Sequence, residues 1–111
     1  MKLTKDLVAA SAAPLILSIL DEGESYGYAI LQRVHELSSG EIAWTDGMLY
    51  PVLHRLETHG LVRARWARAI AGRRRRYYTL TAAGRHALAE QKEQWLVIQA
   101  TLGKLWGVQH G

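Results

Sequence analysis

Apolar positions mark out the elements of this chain in order. Leu7, Val8, Ala12, Leu15, Ile16, Ile19 and Leu20 predict a helix from about Lys5 to Leu20, with Thr4 as its N-cap. The apolar residues cover more than one face, which points to burial by more than the helix's own subunit. Pro14 lies inside, so either the helix kinks there or it begins nearer Ala13. After the polar turn Asp21 to Glu24, Tyr28, Ile30, Leu31, Val34 and Leu37 repeat at helical spacing. Ser25 is expected to cap this second helix, and Gly27 allows close packing in its first turn. Ser38-Ser39-Gly40 closes it. Glu41 to Trp44 reads as extended, a candidate third strand beside the hairpin described below.

Leu49, Val52, Leu53 and Leu56 then recur at helical spacing and predict a third helix with one buried stripe. Thr45 is its N-cap, Asp46 places an acid at the positive end of the dipole, and Gly60 ends it. The opposite face carries Gly47, Pro51, His54, Arg55 and Thr58, flanked by Met48 and Tyr50. Pro51 removes a backbone donor and crowds the carbonyl of Gly47. A helix on both sides of Pro51 with an irregular first turn fits the apolar pattern better than a helix starting at Pro51.

The period then changes. In Val62 to Trp66 apolar residues alternate with arginines, and Arg76 to Leu80 is rich in β-formers, so the two read as a hairpin. Ala67 to Arg75 is the connection, with Gly72 permitting the turn. Thr81 caps a final helix in which Gly84 costs some propensity. Leu88, Trp95 and Leu102 are seven apart, as are Ile98 and Leu105, so this helix carries an a/d seam suited to pairing with another helix. The last residues, Gly107 to Gly111, are expected to fray. The fold class is therefore mainly α with a small β-hairpin, an α+β chain.

Charge changes the picture most. Between Arg55 and Arg76 stand eight arginines and one acid, Glu57, a local balance of +7 in a chain whose net charge is +4. Everything outside that stretch is net acidic. A patch so concentrated attracts a polyanion, and guanidinium forks suit phosphates and guanine edges. A helix beside a basic hairpin is a workable geometry for gripping duplex DNA. The plainer reading is a solubilising loop, but four consecutive arginines repel one another unless an anion faces them. The absence of cysteine excludes disulfides and thiolate chemistry and fits a reducing compartment such as the cytoplasm. The first apolar run lacks a signal cleavage region and is too short and mixed to span a membrane. The histidines are scattered, so no metal, cofactor or catalytic constellation is expected and the chain does not read as an enzyme.

The string Gly47-Met48-Leu49-Tyr50-Pro51, followed by Leu53-x-Arg55-Leu56-Glu57-x-x-Gly60-Leu61 and by Gly72-Arg73-Arg74-Arg75-Arg76-Tyr77-Tyr78-x-Leu80-Thr81-x-x-Gly84, resembles the PadR family of bacterial transcriptional regulators. Several fixed spacings match at once over roughly the first three quarters of the chain. The resemblance implies a winged helix-turn-helix DNA-binding domain over 1–80 and a C-terminal dimerisation helix over 81–111. It also implies a homodimeric repressor on a palindromic operator.

On this basis the residues expected at DNA are Tyr50, Pro51, His54 and Arg55 from the third helix and Arg73, Arg74, Arg75 and Tyr77 from the hairpin. Tyr26, in the first turn of the second helix, either meets a phosphate or packs locally. Leu7, Leu88, Trp95, Ile98, Leu102 and Leu105 are the expected dimer interface. Some members of the family hold flat aromatic effectors between paired C-terminal helices, and Trp95 stands at a matching place. It either stacks such a small-molecule effector or simply fills the interface. A winged-helix module that binds protein and not DNA is the alternative function.

Overall fold

The computed structural model describes residues 1–68 and 71–107. Seven elements follow one another: α1 (Lys5–Asp21), β1 (Ser25–Tyr26), α2 (Gly27–Leu37), α3 (Asp46–Thr58), β2 (Val62–Arg68), β3 (Arg74–Leu80) and α4 (Ala82–Trp106). The three strands form one antiparallel sheet in the order β1-β3-β2. Ala69, Ile70 and the chain end from residue 108, including the expected fraying, lie outside the described residues.

Local chemistry accounts for most of these limits. Thr4 and Thr45 each accept a first-turn amide, from Leu7 and Met48 respectively. Both internal prolines sit within continuous helix, so α1 begins at Lys5 and not near Ala13, and α3 is helical on both sides of Pro51. The hairpin is longer than its apolar alternation implies. Arg74 and Arg75 are in β3 and not in the turn, while Gly72 takes φ +79°.

Two expectations are corrected. Ser25 does not cap α2: it pairs with Tyr78 as Tyr26 pairs with Tyr77, and the N-cap position belongs to Tyr26, whose side chain makes no capping bond. The third strand is accordingly β1. Glu41 to Trp44 is irregular, with the Ile42 amide donating to Ser38 Oγ at 2.8 Å. The reason is topological. β1 takes the edge of β3 that the hairpin leaves, so Glu41 to Trp44 is not the third strand, and it does not pair with the outer edge of β2 either.

The core joins one face from each layer: Ile16, Leu17 and Leu20 of α1, Ile30 and Val34 of α2, Leu49, Leu53 and Leu56 of α3, and Val62, Tyr78 and Leu88. The buried stripe expected for α3 is the one observed. Among the described residues no charged or polar side chain is buried with it. The hairpin and α4 join tightly. Thr81 donates its amide to the Leu61 carbonyl and accepts the Gly84 amide on its hydroxyl. Gly84 lies so close to Leu61 that a methyl group there would collide with the Leu61 carbonyl and a Leu80 methyl. Its cost in helix propensity is thus offset by a contact only glycine permits.

Gly84→Ala is therefore expected to destabilise the fold by about 2 kcal/mol, a typical penalty for forced overpacking. Urea denaturation would show a lower midpoint at unchanged slope.

Candidate nucleic-acid interface

The exposed side of α3 carries Tyr50, Pro51, His54, Arg55 and Thr58, all open to solvent. This follows from the buried stripe: with Leu49, Val52, Leu53 and Leu56 inward, these residues have no other direction. Tyr50 is further oriented by α2. Its phenol ring lies over Gly27, where any side chain would displace it. The close packing attributed to Gly27 is thus a seat for one of the candidate DNA residues.

Strand alternation sorts the hairpin's side chains. Val62, Ala64, Trp66 and Arg68 share one face with Leu80, Tyr78, Arg76 and Arg74 across the ladder. Near the helices that face is core, and towards the tip it is Trp66 among arginines. The other face carries Arg63, Arg65 and Ala67 opposite Thr79, Tyr77 and Arg75, with Tyr26 beside Tyr77.

The arginines are not equivalent. Arg65 makes a two-pronged bond to Glu24, at 2.6 and 2.9 Å, and Arg76 reaches Glu57 of α3 at 2.9 Å. Arg55, Arg63, Arg68, Arg73, Arg74 and Arg75 have no carboxylate partner among the described residues. Two of these six lie on aromatic rings. The Arg75 guanidinium is 3.9 Å from the Tyr26 ring centre, and Arg74 is 5.0 Å from that of Trp66. Tyr26 meets Tyr77 edge to face at 5.7 Å, and Arg65 covers Tyr77 at 5.0 Å. Tyr26 therefore packs locally, and does so by holding a cation. The signal missed in the sequence is the acid that pairs Arg65. Glu24 lies 41 residues away and is brought alongside by the β1–β3 pairing.

The paired acids respond as expected. The Arg65 hydrogen bond holds the Glu24 carboxyl below its ordinary range, and Arg33 does the same to Glu22. A depressed folded value means that the bond's contribution is present above the unfolded pKa and is lost as pH falls through the folded one. Arg65→Gln should therefore let Glu24 titrate at a higher pH, which carboxyl NMR would record.

The residues expected between subunits lie on α4 and, for Leu7, on α1. Leu7, Trp95, Ile98 and Leu105 are exposed, and Leu102 is half-buried. Leu88 is different: it is 3% exposed and belongs to its own protomer's core. Leu96, Val97 and Trp106 are exposed too, and the seam omitted them because they fall off its spacing. Trp95 lines a cavity of about 300 Å³ with Ser11, Pro14, Leu15, Ser18, Leu88 and Lys92. A larger groove, about 730 Å³, runs between the start of α1, the 40–45 segment and α3, over Val8, Ala12, Ile42, Trp44, Met48 and Val52. Among the described residues no cluster of His, Asp and Glu could hold a metal, and no helix is long and apolar enough to cross a membrane.

Comparison with known proteins agrees with this architecture. The chain is 42% identical over 77 residues to the transcriptional regulator Rv3488 of Mycobacterium tuberculosis, covering 69% of this chain and 68% of that protein. Its fold superposes on a transcriptional regulator from Clostridium thermocellum with a TM-score of 0.83 at 26% identity, covering 92% of this chain and 96% of the other. A PadR family regulator from Eggerthella lenta gives 0.76 at 33% identity, with 94% and 88% covered. Residues 16–90 match the model of the transcriptional regulator PadR-like family. That match joins the capped α3, the hairpin and the start of α4 in one unit, and the chain belongs to this family of transcriptional regulators, which are not enzymes.

Proposed function

We propose that this regulator is a cytoplasmic homodimer that represses transcription from a palindromic operator. In this reading residues 1–80 grip duplex DNA and 81–111 pair the subunits. One observation carries it: Arg55 on the exposed face of α3 and Arg63, Arg68, Arg73, Arg74 and Arg75 of the hairpin have no carboxylate partner among the described residues. Folding like charges together is unfavourable unless an anion compensates, and DNA phosphate does so with release of counterions. Tyr50, Pro51, His54 and Arg55 would meet the major groove, with Arg73, Arg74 and Arg75 on neighbouring phosphates and Tyr26 and Tyr77 behind them.

Pairing is supported by the second half of α4. Leu96, Val97, Ile98, Leu105 and Trp106 are all more than half exposed, an apolar surface a lone subunit leaves wet. The apolar groove along α1 and α3 offers such a helix a seat. A twofold pair would present two α3 helices to two half-sites. The cavity at Trp95 is open at this surface, and a planar aromatic effector stacked there would shift the population of pairs with DNA-competent spacing.

Fluorescence anisotropy with random and selected duplexes across a salt series tests DNA binding. Arg73→Ala with Arg74→Ala should weaken binding to all sequences and reduce the salt slope by about one unit per lost phosphate contact. An unchanged slope removes those residues from the interface. Total indifference to duplex at low salt would favour a protein-binding module. For the effector site, a planar dye should quench tryptophan emission in the wild type and not in Trp95→Ala. Ile98→Glu should sediment as a single chain and lose the quenching as well, since a charge in the pairing surface separates the two halves of the site.

A further inference from the structure

We propose that Trp66, a residue outside the expected DNA contacts, is the positioning residue that fixes Arg74 for phosphate contact. The proposal rests on the DNA-binding reading above. Trp66 is 54% exposed, and it is not among the side chains that pack against the core. A large indole so placed contributes little to folding. Its neighbours are instead two cations: Arg76, directly opposite in the ladder with its guanidinium 5.3 Å from the indole ring centre, and Arg74, diagonally across at 5.0 Å. Arg76 is anchored in turn to Glu57 of α3. A continuous chain therefore runs from the third helix through Glu57, Arg76 and Trp66 to Arg74.

The two arginines differ in what remains free. Arg76 is spent on Glu57, whereas Arg74 has no carboxylate partner among the described residues. Arginine loses much rotamer freedom when it binds a phosphate, and a flat ring beneath its guanidinium removes part of that loss in advance. Because the ring is coupled to α3, Arg74 is also held at a set offset from Tyr50, His54 and Arg55. Without the indole, Arg74 would sweep a wide arc and meet the phosphate only part of the time. The ring's effect is thus on orientation, and the charge remains that of Arg74.

Binding to a labelled random duplex, followed by anisotropy from low to moderate salt, tests this. Trp66→Ala should weaken binding about three- to tenfold and lower the salt slope by up to one unit. Arg74→Ala should do the same, and the double variant should be no weaker than either single one. Trp66→Tyr, which keeps a flat ring, should restore most of the affinity, and Trp66→Leu should not. Additive losses, an unchanged slope, or Trp66→Leu matching Trp66→Tyr would overturn the proposal. A wild-type protein that ignores duplex refutes the DNA reading itself. A wild type that binds while Trp66→Ala equals it refutes only the role of Trp66. If Trp66→Ala fails to fold, the Tyr and Leu variants decide.

Discussion

The hairpin and the exposed face of α3 both depend on β3 having a partner on each side. Its pairing with β2 makes the hairpin, and its pairing with the two residues of β1 fastens that hairpin to the start of α2. Two ladder positions are a small amount of structure for such a task. They suffice because Tyr78 drives its ring into the core at one of them, while Tyr26 and Tyr77 meet edge to face at the other. Since α2 also seats Tyr50 through Gly27, the hairpin and the exposed face of α3 are referred to one common support.

That support explains how a short stretch tolerates so many like charges. Arg65 and Arg76 are each bound by an acid from another element, Glu24 ahead of β1 and Glu57 on α3. Both pairs are partly open to solvent, so their worth lies in geometry more than in energy. Arg74 and Arg75 are spread apart by aromatic rings on opposite faces of the hairpin. Two of the six uncompensated cations are thereby held in place. A fixed array of charge is better suited to a regular polyanion than a mobile one, because less ordering is left to the moment of contact.

The last helix divides into two parts with different physical roles. Its beginning belongs to the protomer: Thr81 and Gly84 lie against the Leu61 backbone, and Leu88 closes the core. From Trp95 onward its large apolar side chains are exposed, with Leu102 half-buried. The molecule is correspondingly long, 52 Å by 31 Å by 25 Å. A seam with the spacing of a coiled coil therefore begins inside the subunit and continues into open surface.

The sequence by itself determined the helices, the caps of three of the four and the inward stripe of α3, because these rest on local hydrogen bonds and on a period of 3.6 residues. Thr4, Thr45 and Thr81 do what their side chains can do in any context. It also placed the arginines, since the concentration of charge is visible without a fold. The motif spacing carried the family as well. Only the tertiary structure decided that Ser25 and Tyr26 form a strand, that Glu41 to Trp44 does not, and that Gly84 is a contact point and not a defect. It also decided which arginines are already bound and that Leu88 faces inward. Each of these depends on residues far apart in the chain, where a neighbour's backbone or carboxylate supplies the partner. No local period records such a meeting.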